Sequence, residues 1–575
     1  MLSFRNMTWR RAPFDEAEAR AMAEERKLPA VTARVMASRG VTARGAGAYL
    51  SPMMRDSMPD PFSMIDMRKA CEMIADAIGD RARVGVWTDY DVDGACSAAI
   101  MIRFLRGAGL TDVTLRVPDR VAEGYGPNGP GLVAFGADRD LVISLDAGTS
   151  AVDALAQARE AGVRVLVIDH HAAGRELPVC EALVNPNRPD DDSGLGHMCA
   201  AGLTLLACAG TARVMSERGK VTAPDLMTFC GIAALATVCD VVPLRDVNRA
   251  IVSTGLRAMS RAPIPGVRAL LEAAGAGPGI DAKTCGFVLG PRINAGGRIA
   301  DSRLGSLLLL TDDADEAKRL AAELHEINDR RKAMDGAARE SAMSAFPGRA
   351  PGERRLAFAE VDAHEGIVGI VAARVKDALL SPAIVVAPAH GGLLKGSARS
   401  VDGFDIGAAL IDATAAGLLV KGGGHAMAGG LTISPDKRAA FEAFMNERIA
   451  ASDYGRDGVS SLVDAEVRIA EATADMVASF GAMEPLGRGN ERPAIMVPGV
   501  IEKVDILKGK HVRVTLLDGG RRMSGLIWNA AGTPLAEGLL GAQGRRAELL
   551  GNLEVNEYNG QTRVQMMIED ARLSG

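Results

Sequence analysis

The chain has 575 residues, more than one hydrophobic core organises, so three or four domains are expected. Hydrophobic content of 48% supports packed cores, while a formal charge of -6 gives no global basic signature, so any nucleic-acid binding needs local basic patches. Aromatics at 4% argue against long base-stacking platforms, and eight scattered cysteines without a C-x-x-C pair argue against a disulfide framework or zinc ribbon and fit a reducing cytoplasm.

Residues 1–60 read as a subsidiary helical region. Arg5, Arg10 and Arg11 give way to Asp15, Glu16 and Glu18 with no apolar segment of signal-peptide length. No run of 18 apolar residues appears anywhere, so no membrane contact and a soluble cytoplasmic protein are expected. Beyond Pro52, Pro59 and Pro61 a helix is predicted over 64–78. A buried strand, 84–87, then runs into three carboxylates at alternate positions, Asp89, Asp91 and Asp93. Acids this close repel one another and call for a cation. Gly94 opens an apolar helical run, 95–108, and a strand follows at 113–117. The Gly/Pro-rich stretch 117–130 reads as a loop and carries Arg120.

Strand 141–145 ends in Asp146, with Thr149 or Ser150 placed to cap a helix over 151–161. Strand 163–168 ends in Asp169-His170-His171. Strand, helix and strand with short connections predict a parallel sheet. Its carboxyl edge, where open α/β sheets bind ligands, then carries polar residues at three strand ends. Helical stretches 198–214 and 226–238 lead to Asp240, an acid between apolar flanks that suits a buried ligand. In G-P-R-I-N-A-G-G-R, 290–298, the glycines would let backbone approach a ligand while Arg292 and Arg298 supply charge.

A charged helix over 315–346, about 45 Å long if straight, reads as a connector ended by the Pro/Gly/Arg-rich 347–354. A second α/β domain carries G-S-A-R-S (396–400) and K-G-G-G-H-A-M-A-G-G (421–430). Alternating runs 512–516 and 563–567, with hairpin signals at Asp518-Gly519-Gly520 and Asn559-Gly560, predict a small barrel of OB type. The expected domains are 1–60, 61–310, 311–350 (the connecting helix), 351–452 and 453–575.

Asp89, Asp91, Asp93, Asp146, Asp169, His170, His171 and Asp240 form one candidate set. Carboxylates with one or two imidazoles suit Mn²⁺ or Mg²⁺ better than zinc. Four or five carboxylates exceed what one divalent ion neutralises, so two ions are expected, and phosphoester hydrolysis is the natural reaction. The D-x-D-x-D-G stretch alone also fits a calcium loop or an Asx-capped turn. The calcium reading lacks its Glu at loop position 12, where Ile100 stands.

In order, D-Y-D-V-D-G (89–94), S-L-D-A-G (144–148), D-H-H (169–171) and V-C-D-V-V-P-L (238–244) match the motifs of the DHH phosphoesterase superfamily. P-R-I-N-A-G-G-R (291–298), H-E-G-I-V-G-I-V-A (364–372), G-S-A-R-S, G-G-H-A-M-A-G-G (423–430) and E-P-L-G-R-G-N (484–490) extend the match. The chain thereby resembles, over nearly its full length, the RecJ family of single-strand-specific 5′→3′ DNA exonucleases. The resemblance implies an α/β protein with a parallel-sheet DHH phosphoesterase domain, a long connecting helix, a second α/β DHH-associated domain and a C-terminal OB-like β-barrel.

It further implies two Mn²⁺ or Mg²⁺ ions held by Asp91, Asp93, Asp146, His170 and Asp240, with Asp146 as the bridge and Asp89 at or beside the ions. His171 falls near the scissile phosphate, Asp169 orients the histidines, and a metal-activated water is the nucleophile. Arg120 matches a residue at the DNA 5′ end. Ser397, Arg399 and His425 match phosphate binders, and Arg292, Asn294, Arg298 and His364 complete the implied substrate-binding set. The chain departs from the family at Asp362, with no tryptophan beside His364, and at Leu486, where Phe is usual. Implied partners are single-stranded DNA, a single-stranded-DNA-binding protein and a helicase, around a monomer working in repair and recombination. DNA would thread between the two α/β domains. Two alternatives are a phosphodiesterase of short oligonucleotides or cyclic dinucleotides and a catalytically inactive DNA-binding scaffold. Lys508, Lys510, Arg513, Arg521, Arg522 and Trp528 on the barrel fit either a DNA-binding face or a solvated one.

Overall fold

A computed structural model describes residues 2–120, 122–174, 176–219, 223–277, 279–455, 459–558 and 561–574. The chain forms two compact units, one made of Pro52–Gly336 with Pro485–Asn490, the other of Met1–Ser51, Ala337–Glu484 and Glu491–Gly575.

The first unit is built on a five-stranded sheet in the order Val113–Arg116, Val84–Thr88, Leu141–Leu145, Val165–Ile168, Ala182–Val184, parallel throughout. The three central strands are buried along their whole length, as continuous apolar runs in a helix-covered parallel sheet should be. Helix Val92–Gly107 packs its buried Ile100, Met101, Phe104 and Leu105 into the main core. This helix begins earlier than the apolar run suggests, because Asp91 caps it, accepting from the Gly94 amide at 3.1 Å. Asp93 therefore sits inside the first turn. Gly94 is required there, since a Cβ would lie 2.4 Å from the Asp89 carbonyl oxygen. Gly94→Ala is expected to destabilise the fold by about 1–3 kcal/mol and to displace Asp91 and Asp93. Thermal unfolding and turnover, measured side by side, check both effects.

Several expectations need correction. Part of the Gly/Pro-rich stretch is helix, Gly129–Gly136, because Pro130 falls in its first turn and Asn128 caps it through the Gly131 amide at 2.8 Å. Neither Thr149 nor Ser150 caps the next helix, Val152–Glu160, which starts after Ala151 without a side-chain cap. The Thr149 amide instead donates to Asp169 Oδ2 at 2.9 Å. The G-P-R-I-N-A-G-G-R stretch lies wholly within a helix, Gly290–Ile299. Its glycines admit close backbone neighbours: a Cβ on Gly297 would lie 2.7 Å from the Tyr90 carbonyl oxygen, and one on Gly296 would lie 2.8 Å from that of Asp301.

The charged helix runs Ala314–Ser344, and the division between the units falls within it. In the second unit a five-stranded sheet has the order Lys421–His425, Ala428–Ile433, Leu394–Arg399, Ala383–Pro388, Ala357–Glu360, with only the last pair parallel. Both glycine-rich motifs are thus mainly strand. The C-terminal strands Ile495–Leu507, His511–Asp518, Arg521–Ile527, Gln561–Leu573 and Arg546–Tyr558 pair in that order and close back on Ile495–Leu507, making a five-stranded barrel. The Asp518-Gly519-Gly520 signal is a tight hairpin with both glycines at positive φ. The other signal, Asn559-Gly560, lies outside the described residues. The N-terminal region is not purely helical: Met7–Arg11 pairs in parallel with Val459–Val463. Among the described residues no helix is long and apolar enough to cross a membrane.

Candidate metal centre

The carboxyl edge of the parallel sheet gathers the acids. Asp89, Asp91 and Asp93 follow Val84–Thr88, Asp146 follows Leu141–Leu145, and Asp169, His170 and His171 follow Val165–Ile168. Asp240 ends helix Cys230–Cys239. Three groups each bring one ligand-type atom per residue within 4.8 Å of the others: Asp93, His170 and Asp240; Asp89, Asp91 and Asp146; Asp146, His170 and His171. Asp146 and His170 each belong to two groups, so neighbouring cation sites would share ligands. His170 Nε2 lies 3.3 Å from Asp146 Oδ1, 3.6 Å from Asp93 Oδ2 and 3.8 Å from Asp240 Oδ2.

Backbone groups aim these side chains. Asp93 accepts from the amides of Ala200 and Ala201 at 2.7 and 2.9 Å, at the start of helix Ala200–Glu217, where the helix dipole favours negative charge. Asp146 adopts a left-handed backbone, φ +59, held by its amide on the Ile168 carbonyl (3.0 Å) and by the Tyr125 hydroxyl on its own carbonyl (3.2 Å). Asp169 Oδ1 accepts from the His171 amide at 3.2 Å and bonds His171 Nδ1 at 2.8 Å. Buried Asn185 donates to the His171 carbonyl at 2.8 Å and to Thr149 Oγ1 at 2.7 Å, and Asn187 donates to the His170 carbonyl at 2.6 Å.

Burial, then repulsion among neighbouring acids, pushes the carboxyls of Asp89 and Asp146 well above the usual range and that of Asp240 up to about 9. Burial also raises Asp93, although His170 opposes the shift. Burial alone would lower His171, yet Asp169 and the other acids carry it up to about 9. Among the described residues, neither Asp89 Oδ1 nor Asp146 Oδ1, both buried, has a hydrogen-bond partner. Two orphaned carboxylate oxygens within a ring of acids and one to two imidazoles fit hard divalent cations, which would supply the missing positive charge.

Asp89, Asp91, Asp93, His171 and Asp240 open onto a cleft of about 330 Å³ that Tyr90, Arg120, Tyr125, Asn294 and Arg298 also line. The Arg120 guanidinium stands 5.0 Å from the Tyr90 ring centroid. Asn294 Oδ1 accepts from the Val92 amide at 3.1 Å, bracing the acidic turn. Arg292 is not in the lining: it is 7% exposed and donates to the Val288 carbonyl (2.7 Å) and to His325 Nδ1 (3.2 Å). Cys239 reaches the cleft but turns its thiol to the Cys285 carbonyl at 3.4 Å.

In the second unit Arg399 Nη1 donates to Ser397 Oγ at 2.7 Å, and cross-strand pairing aligns Arg399 with Ala428 and Ala428 with exposed His425. Facing cross-strand residues share a sheet face, so Arg399 and His425 do. His364 caps helix Glu365–Leu379, its Nδ1 accepting from the Gly366 amide at 3.1 Å. On the barrel, Arg513 pairs with Asp505 at 2.9 Å and Arg522 with Glu502 at 2.6 Å, so two of the five expected basic residues already have acidic partners. Trp528 is 60% exposed beside His511.

Sequence reasoning passes over Tyr90, Asn185 and Asn187 and gives Tyr125 no role of its own. For the asparagines a signal exists: Asn185-Pro186-Asn187 directly follows the short strand Ala182–Val184 on the ligand-binding edge.

A parallel sheet that gathers buried acids and half-buried histidines at its carboxyl edge is the arrangement the DHH motifs lead one to expect. Family profiles agree, matching the DHH family N-terminal domain over 83–232, the DHHA1 domain over 353–451 and the RecJ OB domain over 463–570. A relative from Dickeya dadantii is 32% identical, across 94% of this chain and 96% of its own. One from Bacillus subtilis is 30% identical, across 99% of this chain and 71% of its own. Both are named single-stranded-DNA-specific exonuclease RecJ. The crystal structure of RecJ from Thermus thermophilus in complex with Mn²⁺ superposes with a TM-score of 0.81 at 27% identity, covering 99% of this chain and 80% of that one. The chain belongs to the RecJ family.

Proposed function

We propose that the chain is a single-strand-specific 5′→3′ DNA exonuclease that hydrolyses phosphodiester bonds with two divalent cations. The observation that carries this reading is the set of three ligand groups linked through Asp146 and His170, with carboxylate oxygens at Asp89 and Asp146 that lack hydrogen bonds among the described residues. Relatives of known name and metal content support it: a Thermus RecJ has been solved with Mn²⁺ and also with Mg²⁺. Asp91, Asp93, Asp146, His170 and Asp240 would hold the ions, with Asp89 beside them. Bound there, the ions would activate water and neutralise charge at phosphorus.

The chain's own residues do the positioning. Asp169 fixes the His171 ring, which presents a donor to a phosphate oxygen. Arg120, stacked over Tyr90, offers a fork-shaped donor to the 5′ end of the strand, and Arg298 adds positive charge to the same cleft. Ser397, Arg399, His425 and His364 supply phosphate contacts from the DHHA1 domain, and Asn294 braces the acidic turn. The exposed Trp528 and Lys508 and Lys510 give the barrel a stacking and charged surface for single strands. Such an enzyme needs free ends, so a helicase and a single-stranded-DNA-binding protein are its natural partners in repair and recombination in the cytoplasm, with the chain acting as a monomer.

A 3′-labelled strand, presented single or in a blunt duplex with Mn²⁺ or Mg²⁺, tests the reading. The single strand is expected to shorten from its 5′ end while the duplex stays intact. Equal digestion of the duplex, or cleavage of only very short oligonucleotides or cyclic dinucleotides, would replace it.

A further inference from the structure

Asp240 differs from Asp91 and Asp93 in how it is held. Asp91 and Asp93 each accept a backbone amide, whereas among the described residues no amide reaches the Asp240 carboxylate. Its backbone is held on one side by helix Cys230–Cys239, through its amide on the Ala236 carbonyl at 2.8 Å, and on the other by the turn that follows. Val241 in that turn has φ +58, a region β-branched residues avoid, and it is 56% exposed, so packing does not hold it there.

The hold comes from a segment far along the chain, Pro485–Asn490, which is part of the same compact unit. Arg488 Nη1 donates to the Val241 carbonyl at 3.1 Å, and the Leu244 amide donates to the Arg488 carbonyl at 2.7 Å. One residue thus ties both ends of the turn. Glycines on either side let the segment lie flat: a Cβ on Gly487 would meet Leu244 Cδ1 at 2.7 Å, and one on Gly489 would meet Pro243 Cβ at 3.1 Å. The segment is itself pinned, because buried Arg249 and the Asn490 amide group both donate to the Pro485 carbonyl, at 3.1 and 2.8 Å.

We propose that Arg488 is a positioning residue, which fixes the left-handed turn at Val241 and so aims Asp240 at the metal centre. The proposal rests on the reading of Asp240 as a metal ligand. Loss of the hydrogen bonds that orient metal ligands typically costs about 10–100-fold in metal affinity or activity, and Arg488 acts one residue further out, on the backbone that carries Asp240.

The test compares Arg488→Met, which keeps the length without the donor, Arg488→Lys, which keeps a donor, and Asp240→Ala. The readouts are Mn²⁺ affinity, from the electron paramagnetic resonance of free Mn²⁺, and kcat and KM on single-stranded DNA. Arg488→Met is expected to weaken Mn²⁺ binding by about tenfold, to leave KM for DNA unchanged, and to regain turnover at high Mn²⁺, while Arg488→Lys recovers most of the affinity. Unchanged Mn²⁺ affinity in Arg488→Met, or a rise in DNA KM alone, overturns the positioning role. Should Arg488→Met fail to fold, Arg488→Gln, whose shorter side chain cannot span to the Val241 carbonyl, takes its place: weakened Mn²⁺ binding supports the role and wild-type Mn²⁺ affinity overturns it. Wild-type Mn²⁺ affinity in Asp240→Ala would instead remove the metal-ligand reading beneath it.

Discussion

Asp146→Asn is expected to lower kcat by about 10³-fold or more, because it removes the carboxylate shared by two ligand clusters, an effect of roughly 4 kcal/mol on the barrier. The same change should stabilise the metal-free protein by about 1–2 kcal/mol. Asp146 is buried, its Oδ1 accepts no hydrogen bond among the described residues, and neighbouring acids repel its charge. Asn keeps the shape, carries no charge and tolerates the left-handed backbone at φ +59. Asp146→Ala should lose as much activity without the full gain in stability, since Ala resists that backbone. Steady-state turnover in Mn²⁺ and thermal unfolding in chelator measure the two effects separately. A variant that keeps wild-type turnover would dismiss Asp146 as a shared ligand.

Chelation should reverse the way stability depends on pH. Burial, then repulsion from Asp93 and Asp91, raises the Asp240 carboxyl from its ordinary value of 3.8 to about 9 in the folded chain, and burial with repulsion raises Asp89 and Asp146 as well. A raised carboxyl contributes stability that is fully present below the ordinary value and is lost as pH climbs towards the folded value. For Asp240 that window runs from about pH 4 to about pH 9, at up to roughly 1.4 kcal/mol per pH unit. Metal-free protein should therefore melt lower at about pH 8 than at about pH 5, by about 2–4 °C for each kcal/mol lost. Saturating Mn²⁺ favours the ionised carboxylates and competes with protons for them, so the loaded protein should gain stability as pH rises. Parallel melting series with chelator and with Mn²⁺ check this, and identical pH profiles would count against a cation at these acids.

The metal centre is largely legible in the sequence because parallel strands run apolar and then turn polar at one edge, so Asp89, Asp146 and Asp169 announce themselves in order. Helix Gly129–Gly136 is hidden because Pro130 and the glycines around it read as loop signals, although proline in a first helical turn costs nothing. In sequence the glycines of 290–298 look as though they face a ligand. Spacing cannot distinguish a backbone that approaches a phosphate from one that approaches the Tyr90 carbonyl. Arg292 shares that fate, its charge suggesting a substrate and its surroundings giving it Val288 and His325. Arg488 leaves no trace as a partner of Val241, because a contact that joins residues so far apart in the chain has no periodicity to read.

The placement of Pro485–Asn490 also sets an order of events during synthesis. Residues 337–484 are made after the main body of the metal-binding unit and before the segment that completes it. At usual elongation rates that interval lasts on the order of ten seconds. Throughout it the Val241 turn lacks its clamp, so on the role proposed for Arg488 a nascent chain would pass through a state whose nuclease centre is still immature. Activity would then wait for that late segment to emerge.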